Sequence, residues 1–338
     1  METTINYRES NPVLNFNSYS PNLAFSLNKT VNPASRVKTR LGEFKKITEE
    51  EMPVIWNYLK NEPGRTTDFS YGGVLMWVDF FNYEYAVYDD TLFIKGVVEN
   101  DRNKPAFSLP IGKLSLSDSV EVLKEYCMAN GLELEFSAVP EYAVEELKTL
   151  NPRFVEELTD WADYLYNAEP LSTLKGKKMS KKRNHVNQFT ARYPEYKYER
   201  LTPENSSRAL EFMDIFDLEG DSTEMAASER ALSRELIKRL AEGDRNLLGG
   251  ILSVDGETAA YTIGDVKNDT LFVHVEKATR KFNGSYEMIN WLFAKDICEN
   301  NPGIAFINRE DDAGDIGLRM AKESYHPCEM LKKYNILF

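Results

Sequence analysis

The chain has only three cysteines and three histidines in 338 residues, and from Pro170 to Pro194 it has no acidic residue at all. Nor does any apolar run approach the roughly 20 residues that cross a bilayer. Each scarcity excludes something. Cys127, Cys298 and Cys328 are too few and too scattered for a disulfide framework or a four-ligand zinc site, so a reducing compartment and no bound metal are expected. Without a spanning segment or an apolar signal-type N-terminus, the expected location is the cytoplasm. A formal charge of -13 argues against a dedicated duplex-DNA binder, whose basic footprint dominates its domain.

Against that negative background the acid-free stretch carries Lys175, Lys177, Lys178, Lys181, Lys182, Arg183 and Arg192. A local field of reversed sign concentrates anions. Met179, Val186, Phe189 and Tyr193 recur at helical spacing, which predicts a helix over roughly 178–192 with one apolar stripe. Lys178, Lys181, Lys182, Arg183 and His185 are then available to an anionic donor. A solvated helix face is the other reading of the same run.

A content of 42% hydrophobic and 12% aromatic residues is enough to fill two cores. Residues 1–40, rich in Asn, Ser and Thr, read as a flexible tail. Beyond them one pattern occurs twice. Tyr85 to Tyr88, the Asp89-Asp90 turn and Thr91 to Val98 form a hairpin. A turn at Asp101 to Lys104 leads to a third strand, Pro105 to Ile111, and then helix, strand and helix follow. Leu247 to Val254, the Asp255-Gly256 turn, Glu257 to Val266 and Leu271 to Lys277 repeat the meander. A helix, a strand at Ile304 to Arg309 and a helix at Gly317 to Tyr325 complete it. The expected fold is mixed α/β, a tandem of one unit, with domains at 41–172 and 173–338.

In the strand Leu271 to Lys277, alternation places Phe272, His274 and Glu276 on one side and Val273 and Val275 on the other. A carboxylate beside an imidazole on a half-buried strand suits a general base. A polar side turned to solvent, with the valines inward, is the alternative. Just beyond, Arg280, Lys281 and Gly284 precede a helix whose N-terminal N–H groups suit phosphate or carboxylate. Asn308 and Arg309 close the neighbouring strand. On the last helix Arg319 and Lys322 lie toward one face, and Tyr325 at its end is a phenol placed to donate a proton to a leaving group.

This element order resembles that of the GNAT acyltransferase superfamily. Its phosphate-loop motif, Gln/Arg-x-x-Gly-x-Gly/Ala, has a degenerate counterpart in which Lys281 fills the first position, Gly284 agrees and Tyr286 replaces the last small residue. The segments Asp160 to Tyr166, Leu174 to Asn187, Val273 to Lys277, Asn308 to Asp312 and Gly317 to Pro327 resemble those of a bacterial family similar to the C-terminal catalytic domain of phosphatidylglycerol lysyltransferase. The resemblance covers roughly Leu41 to Phe338 and implies a tandem GNAT-like fold, as in the Fem peptidyltransferases. It also implies transfer of an acyl or aminoacyl group from a phosphate-bearing donor, aminoacyl-tRNA or acyl-CoA, to an amine or hydroxyl, with no tightly bound cofactor. Glu276 assisted by His274 would be the base and Tyr325 the acid. Asn308 and Arg309 would orient substrate, Arg319 and Lys322 would position it, and Lys281 and Gly284 would join the basic helix at the donor phosphates. A non-catalytic binder of tRNA or another anionic ligand is the alternative. The first-half strand Pro105 to Ile111 has no His-x-Glu, so the chemistry is expected in the second half.

Overall fold

A computed structural model describes residues 39–98, 101–219 and 224–338; the tail read at 1–40 lies, up to residue 38, outside the described residues. The first half runs β1 (Lys45–Lys46), α1 (Met52–Leu59), α2 (Tyr71–Trp77), β2 (Glu84–Tyr88), β3 (Thr91–Val98), β4 (Asp101–Phe107), β5 (Ile111–Gly112), α3 (Leu116–Asn130), β6 (Glu135–Pro140), α4 (Glu141–Lys148) and β7 (Phe154–Glu157). Then come β8 (Asp163–Asn167), α5 (Ala168–Thr173) and α6 (Ser180–Arg192). The second half runs β9 (Lys197–Arg200), α7 (Ser206–Glu219), α8 (Glu224–Ala241), β10 (Leu247–Val254), β11 (Glu257–Lys267), β12 (Thr270–Ala278), α9 (Ser285–Asn300), β13 (Phe306–Asn308), α10 (Ile316–Glu323), β14 (Glu329–Leu331) and β15 (Lys333–Leu337).

The strands form two sheets, ordered β1-β2-β3-β4-β6-β15-β7 and β9-β10-β11-β12-β13-β8-β14, with β5 paired to β3 beside the first. Position for position the two orders are equivalent. In each, a single parallel pair, β4 with β6 and β12 with β13, interrupts antiparallel neighbours, and one helix, α3 or α9, makes the crossover that a parallel pair needs. The repeat is therefore present in the topology as well as in the sequence. Sheet membership, however, does not follow a boundary at residue 172. The slot between β6 and β7 is filled by the C-terminal β15, and the slot between β13 and β14 by β8. Each half completes the other's sheet, covering strand edges that would otherwise present unpaired N–H and C=O groups.

Asp255 and Gly256 both have positive φ, 52° and 84°, the geometry of the tight Asp-Gly hairpin between β10 and β11. The stretch Asp101 to Lys104, expected to be a turn, instead belongs to β4. Asp101 pairs with Val98 and Pro105 with Val97, and the register shift between those pairs absorbs the intervening residues.

The irregularity that matters for function is in β12. Ile263 of β11 faces Val275, yet the next residue, Gly264, faces Val273, so His274 is an extra residue in its strand. This is a β-bulge, and it resets which way the following side chains point. A Cβ at Gly264 would lie 2.1 Å from the Phe272 carbonyl oxygen; only glycine lets the strands close on the bulge. Leu271 and Val273 pack with Ile289 and Phe293 of α9 in one apolar cluster. Val275 packs with Tyr261, Ile263 and side chains of α7 and α8 in another, which continues into the first half.

Candidate active site

Strand alternation alone puts His274 and Glu276 on the same side; the bulge at His274 separates them. Glu276 faces α9. Its Oε2 accepts from Asn290 Nδ2 at 3.0 Å and its Oε1 from Arg309 Nη2 at 2.9 Å. The Arg309 guanidinium lies 4.7 Å from the Tyr325 ring centroid, and Lys182 Nζ from α6 lies 3.9 Å from the same centroid. Two cations thus contact one phenol, whose hydroxyl makes no hydrogen bond to another described residue. Lys182 also faces Glu287 Oε1 at 3.7 Å, and His185 Nδ1 reaches that oxygen at 3.1 Å. Glu287 occupies the first turn of α9, where the helix dipole favours a carboxylate.

Burial sets the electrostatics. It raises the Tyr325 phenol pKa far above its ordinary value, against the opposing pull of Arg309, so the group stays protonated. It lowers that of the Lys182 ammonium, which Glu287 partly counters. Burial also works against the charge on Arg309, but Glu276 and the neighbouring phenols outweigh it and keep the guanidinium charged. Side-chain exposures of 11% for Glu276, 12% for Arg309 and 14% for Lys182 describe a nearly dry cluster. In such surroundings fixed charges act more strongly than in water.

The other face of the sheet holds His274. Its Nε2 lies 2.8 Å from Asp265 Oδ2 and its Nδ1 2.8 Å from Glu310 Oε1. A neutral imidazole would turn a lone pair toward one carboxylate, so both nitrogens carry protons and the ring is an imidazolium. Burial pushes its pKa down, but Asp265 and Glu310 outweigh it and raise the value from 6.5 to about 10. Gly72 of α2 donates its N–H to Asp265 Oδ2 at 2.5 Å, and Thr67 Oγ1 donates to Glu310 Oε1 at 3.1 Å. A Cβ at Gly72 would meet the imidazole at 2.5 Å. His274 therefore binds first-half backbone to the second sheet, with its charge fully engaged, and is no assistant base for Glu276.

The remaining expected residues divide. Asn308 lies on the His274 side: its Nδ2 donates to Asp163 Oδ2 at 2.9 Å and to the Arg65 carbonyl at 2.6 Å, while its Oδ1 accepts from the Glu310 N–H. Both ends of its amide are thus spent on structure. Arg319 grips Asp312 through Nε and Nη2 at 2.9 and 2.8 Å and reaches Asp160. Lys322 is buried and donates to the Asp311 carbonyl. Neither side chain bonds to or pairs with Lys182, Glu276, Arg309 or Tyr325 among the described residues; the Lys322 carbonyl, however, accepts from the Tyr166 hydroxyl at 2.8 Å and from the Tyr325 N–H at 3.1 Å. Arg183 donates to the Leu174 and Gly176 carbonyls, and Lys281 pairs with Glu257. Gly284, at φ 94°, starts α9 against Phe189 of α6. Of the apolar stripe, Met179, Val186 and Phe189 are buried and Tyr193 is partly buried against the same cluster. Lys178 and Lys181 are exposed.

Asn290, Glu287 and Tyr166, whose ring centroid lies 6.0 Å from the Arg309 guanidinium, also belong to the cluster, and of these only Tyr166 lies in a segment that carries the family resemblance. Asn290 adjoins the Ile289, Phe293, Ile297 stripe, and nothing in helical spacing marks it as facing a charged strand residue. The i, i+3 relation of Glu287 and Asn290 was the one available hint.

Known proteins share this architecture. The family model described as phosphatidylglycerol lysyltransferase, C-terminal, matches residues 62–337. A conserved protein of unknown function from Bacteroides thetaiotaomicron is 32% identical, with a TM-score of 0.78 over 87% of this chain and 99% of its own. The L-PGS of Bacillus licheniformis is 15% identical, with a TM-score of 0.54 over 87% of this chain and 92% of that one. FemX is 12% identical, with a TM-score of 0.58 over 88% and 98% respectively. The last two likenesses show the tandem GNAT-like fold.

Proposed function

Because the chain belongs to the phosphatidylglycerol lysyltransferase C-terminal family, we propose that it moves an acyl or aminoacyl group from a phosphate-bearing donor, aminoacyl-tRNA or acyl-CoA, to an amine or hydroxyl. The observation that carries this reading is the Tyr325 phenol, unbonded at its hydroxyl, with Lys182 and Arg309 over its ring and Arg309 bonded to Glu276. Acyl transfer develops negative charge on the carbonyl oxygen and then on the leaving atom. Arg309 Nη1, buried and without a hydrogen-bond partner, together with Lys182 meets the first charge. Tyr325, kept protonated by burial, supplies the proton that the leaving oxygen or sulfur needs. Glu276 has lone pairs left after its bonds to Arg309 and Asn290. They take the proton of the attacking group, which becomes acidic once the new bond forms. Lys178 and Lys181, at the entrance to the same helix, meet donor phosphates.

The basic stretch alone also fits a binder of tRNA or another anion without turnover, and one experiment separates the two. Full-length protein is incubated with radiolabelled aminoacyl-tRNAs and with labelled acetyl-CoA, with glycinamide as amine and phosphatidylglycerol vesicles as hydroxyl. Label should move to one acceptor from one donor class. Tyr325→Phe and Glu276→Gln should each lower kcat by about 100-fold or more while donor Kd stays within about threefold. Binding of a donor without transfer would establish the binder. Variants that transfer at the parental rate would remove these two residues from the chemistry.

A further inference from the structure

Asn290 holds an atom for which neither the fold nor the reaction outlined above has a use. The residue is 5% exposed, its Nδ2 donates to Glu276, and its Oδ1 is buried without a partner. The amide cannot be turned to relieve this. A carboxylate only accepts, so Nδ2 must face Glu276 and Oδ1 is fixed on the other side. A buried acceptor left empty is costly. Arg309 presents the complementary defect. Its Nη2 is bonded to the other oxygen of Glu276, while its Nη1 is buried and empty. One carboxylate thus aligns an orphan acceptor and an orphan donor on either side of itself.

We infer that Asn290 is a specificity-determining residue that reads a free α-amine on the transferred group; the inference rests on the transferase reading. An α-amino ester carries an ammonium on the carbon next to its carbonyl. The ammonium can donate to Asn290 Oδ1 and to a remaining lone pair of Glu276, while the carbonyl oxygen accepts from Arg309 Nη1. A plain acyl group satisfies Arg309 and leaves Asn290 Oδ1 unpaired in a dry site. Sites that hydrogen-bond a substrate group reject the analogue lacking it far more strongly than apolar pockets reject a missing methylene. The preference belongs to Asn290 because among the described residues its Oδ1 is the one buried amide oxygen left unbonded beside Glu276.

The test uses hydrolysis-resistant donor mimics: 3′-amino-3′-deoxyadenosine acylated with alanine or lysine, each paired with its counterpart lacking the α-amine, propionyl or 6-aminohexanoyl. Calorimetric Kd ratios within each pair are measured on the full chain, on Asn290→Leu and on Asn290→Asp. A ratio within one protein does not depend on the fraction folded, so partial destabilisation of a variant cannot imitate the result. The parent should prefer the α-amine by about 10- to 100-fold. Asn290→Leu should bring the ratio within about threefold of unity, and Asn290→Asp, which keeps an acceptor, should retain the preference. Equal binding within both pairs by the parent overturns the inference, as does a preference that survives in Asn290→Leu. If label moves from acetyl-CoA while the pairs bind equally, the transferase reading stands and this inference falls. If no donor is turned over and no mimic binds, the transferase reading itself fails.

Discussion

Replacing His274 by Gln should expose how much of the fold rests on one buried charge. The imidazolium has no side-chain exposure and sits 2.8 Å from each of two carboxylates. Gln can donate from only one end, so Asp265 or Glu310 is left facing an amide oxygen. Removing one partner from a buried ionic cluster costs about 3–5 kcal/mol, and we expect that loss at pH 7. The pH dependence is more diagnostic. The folded pKa is raised from 6.5 to about 10, so the native state holds a proton that the unfolded chain releases. The stabilisation is complete below about pH 6.5 and is lost as pH rises toward 10, by about 1.4 kcal/mol per pH unit. Urea unfolding followed by far-UV circular dichroism at pH 7, 8 and 9 should therefore show parent and variant converging by about 3 kcal/mol. Parallel pH curves would refute the imidazolium bridge. They would also reopen a neutral His274 as a participant in proton transfer.

Three further outcomes follow from the same geometry. Gly264→Ala should destabilise by about 3 kcal/mol or more in thermal or urea melts, because its Cβ would strike the Phe272 carbonyl and the bulge that aims Glu276 at α9 cannot close. Lys267 and Glu62 form an ion pair at 2.6 Å with side chains 1% exposed, so Lys267→Met should cost about 3–5 kcal/mol. Adding Glu62→Gln should recover much of that loss, because no unpaired buried charge then remains. Lys178→Gln with Lys181→Gln should leave stability within about 0.5 kcal/mol, but weaken donor binding and flatten its dependence on salt in a titration from low to physiological ionic strength.

Much of this molecule was legible in the chain. Helical spacing of Met179, Val186 and Phe189 fixed which side of α6 is buried, and the Asp255-Gly256 pair fixed the hairpin, because both depend only on local backbone geometry. The doubled meander was readable for the same reason. Glu276, Arg309, Tyr325 and Lys182 are all marked by the sequence and do meet, since they lie near the ends of elements whose order dictates adjacency.

What the sequence could not determine was the pairing across strands and the closing of distant contacts. Alternation predicts facing only while the register is regular, and one extra residue at 274, set by how β11 pairs with β12, sent His274 and Glu276 to opposite sides of the sheet. The exchange of β8 and β15 between the sheets was hidden as well, because an edge slot accepts any strand of suitable length and nothing local names its partner. The charge state of His274 depends on Asp265 and Glu310, and the empty acceptor of Asn290 on the direction of Glu276. Both are consequences of burial beside particular neighbours, and only the folded chain supplies those neighbours.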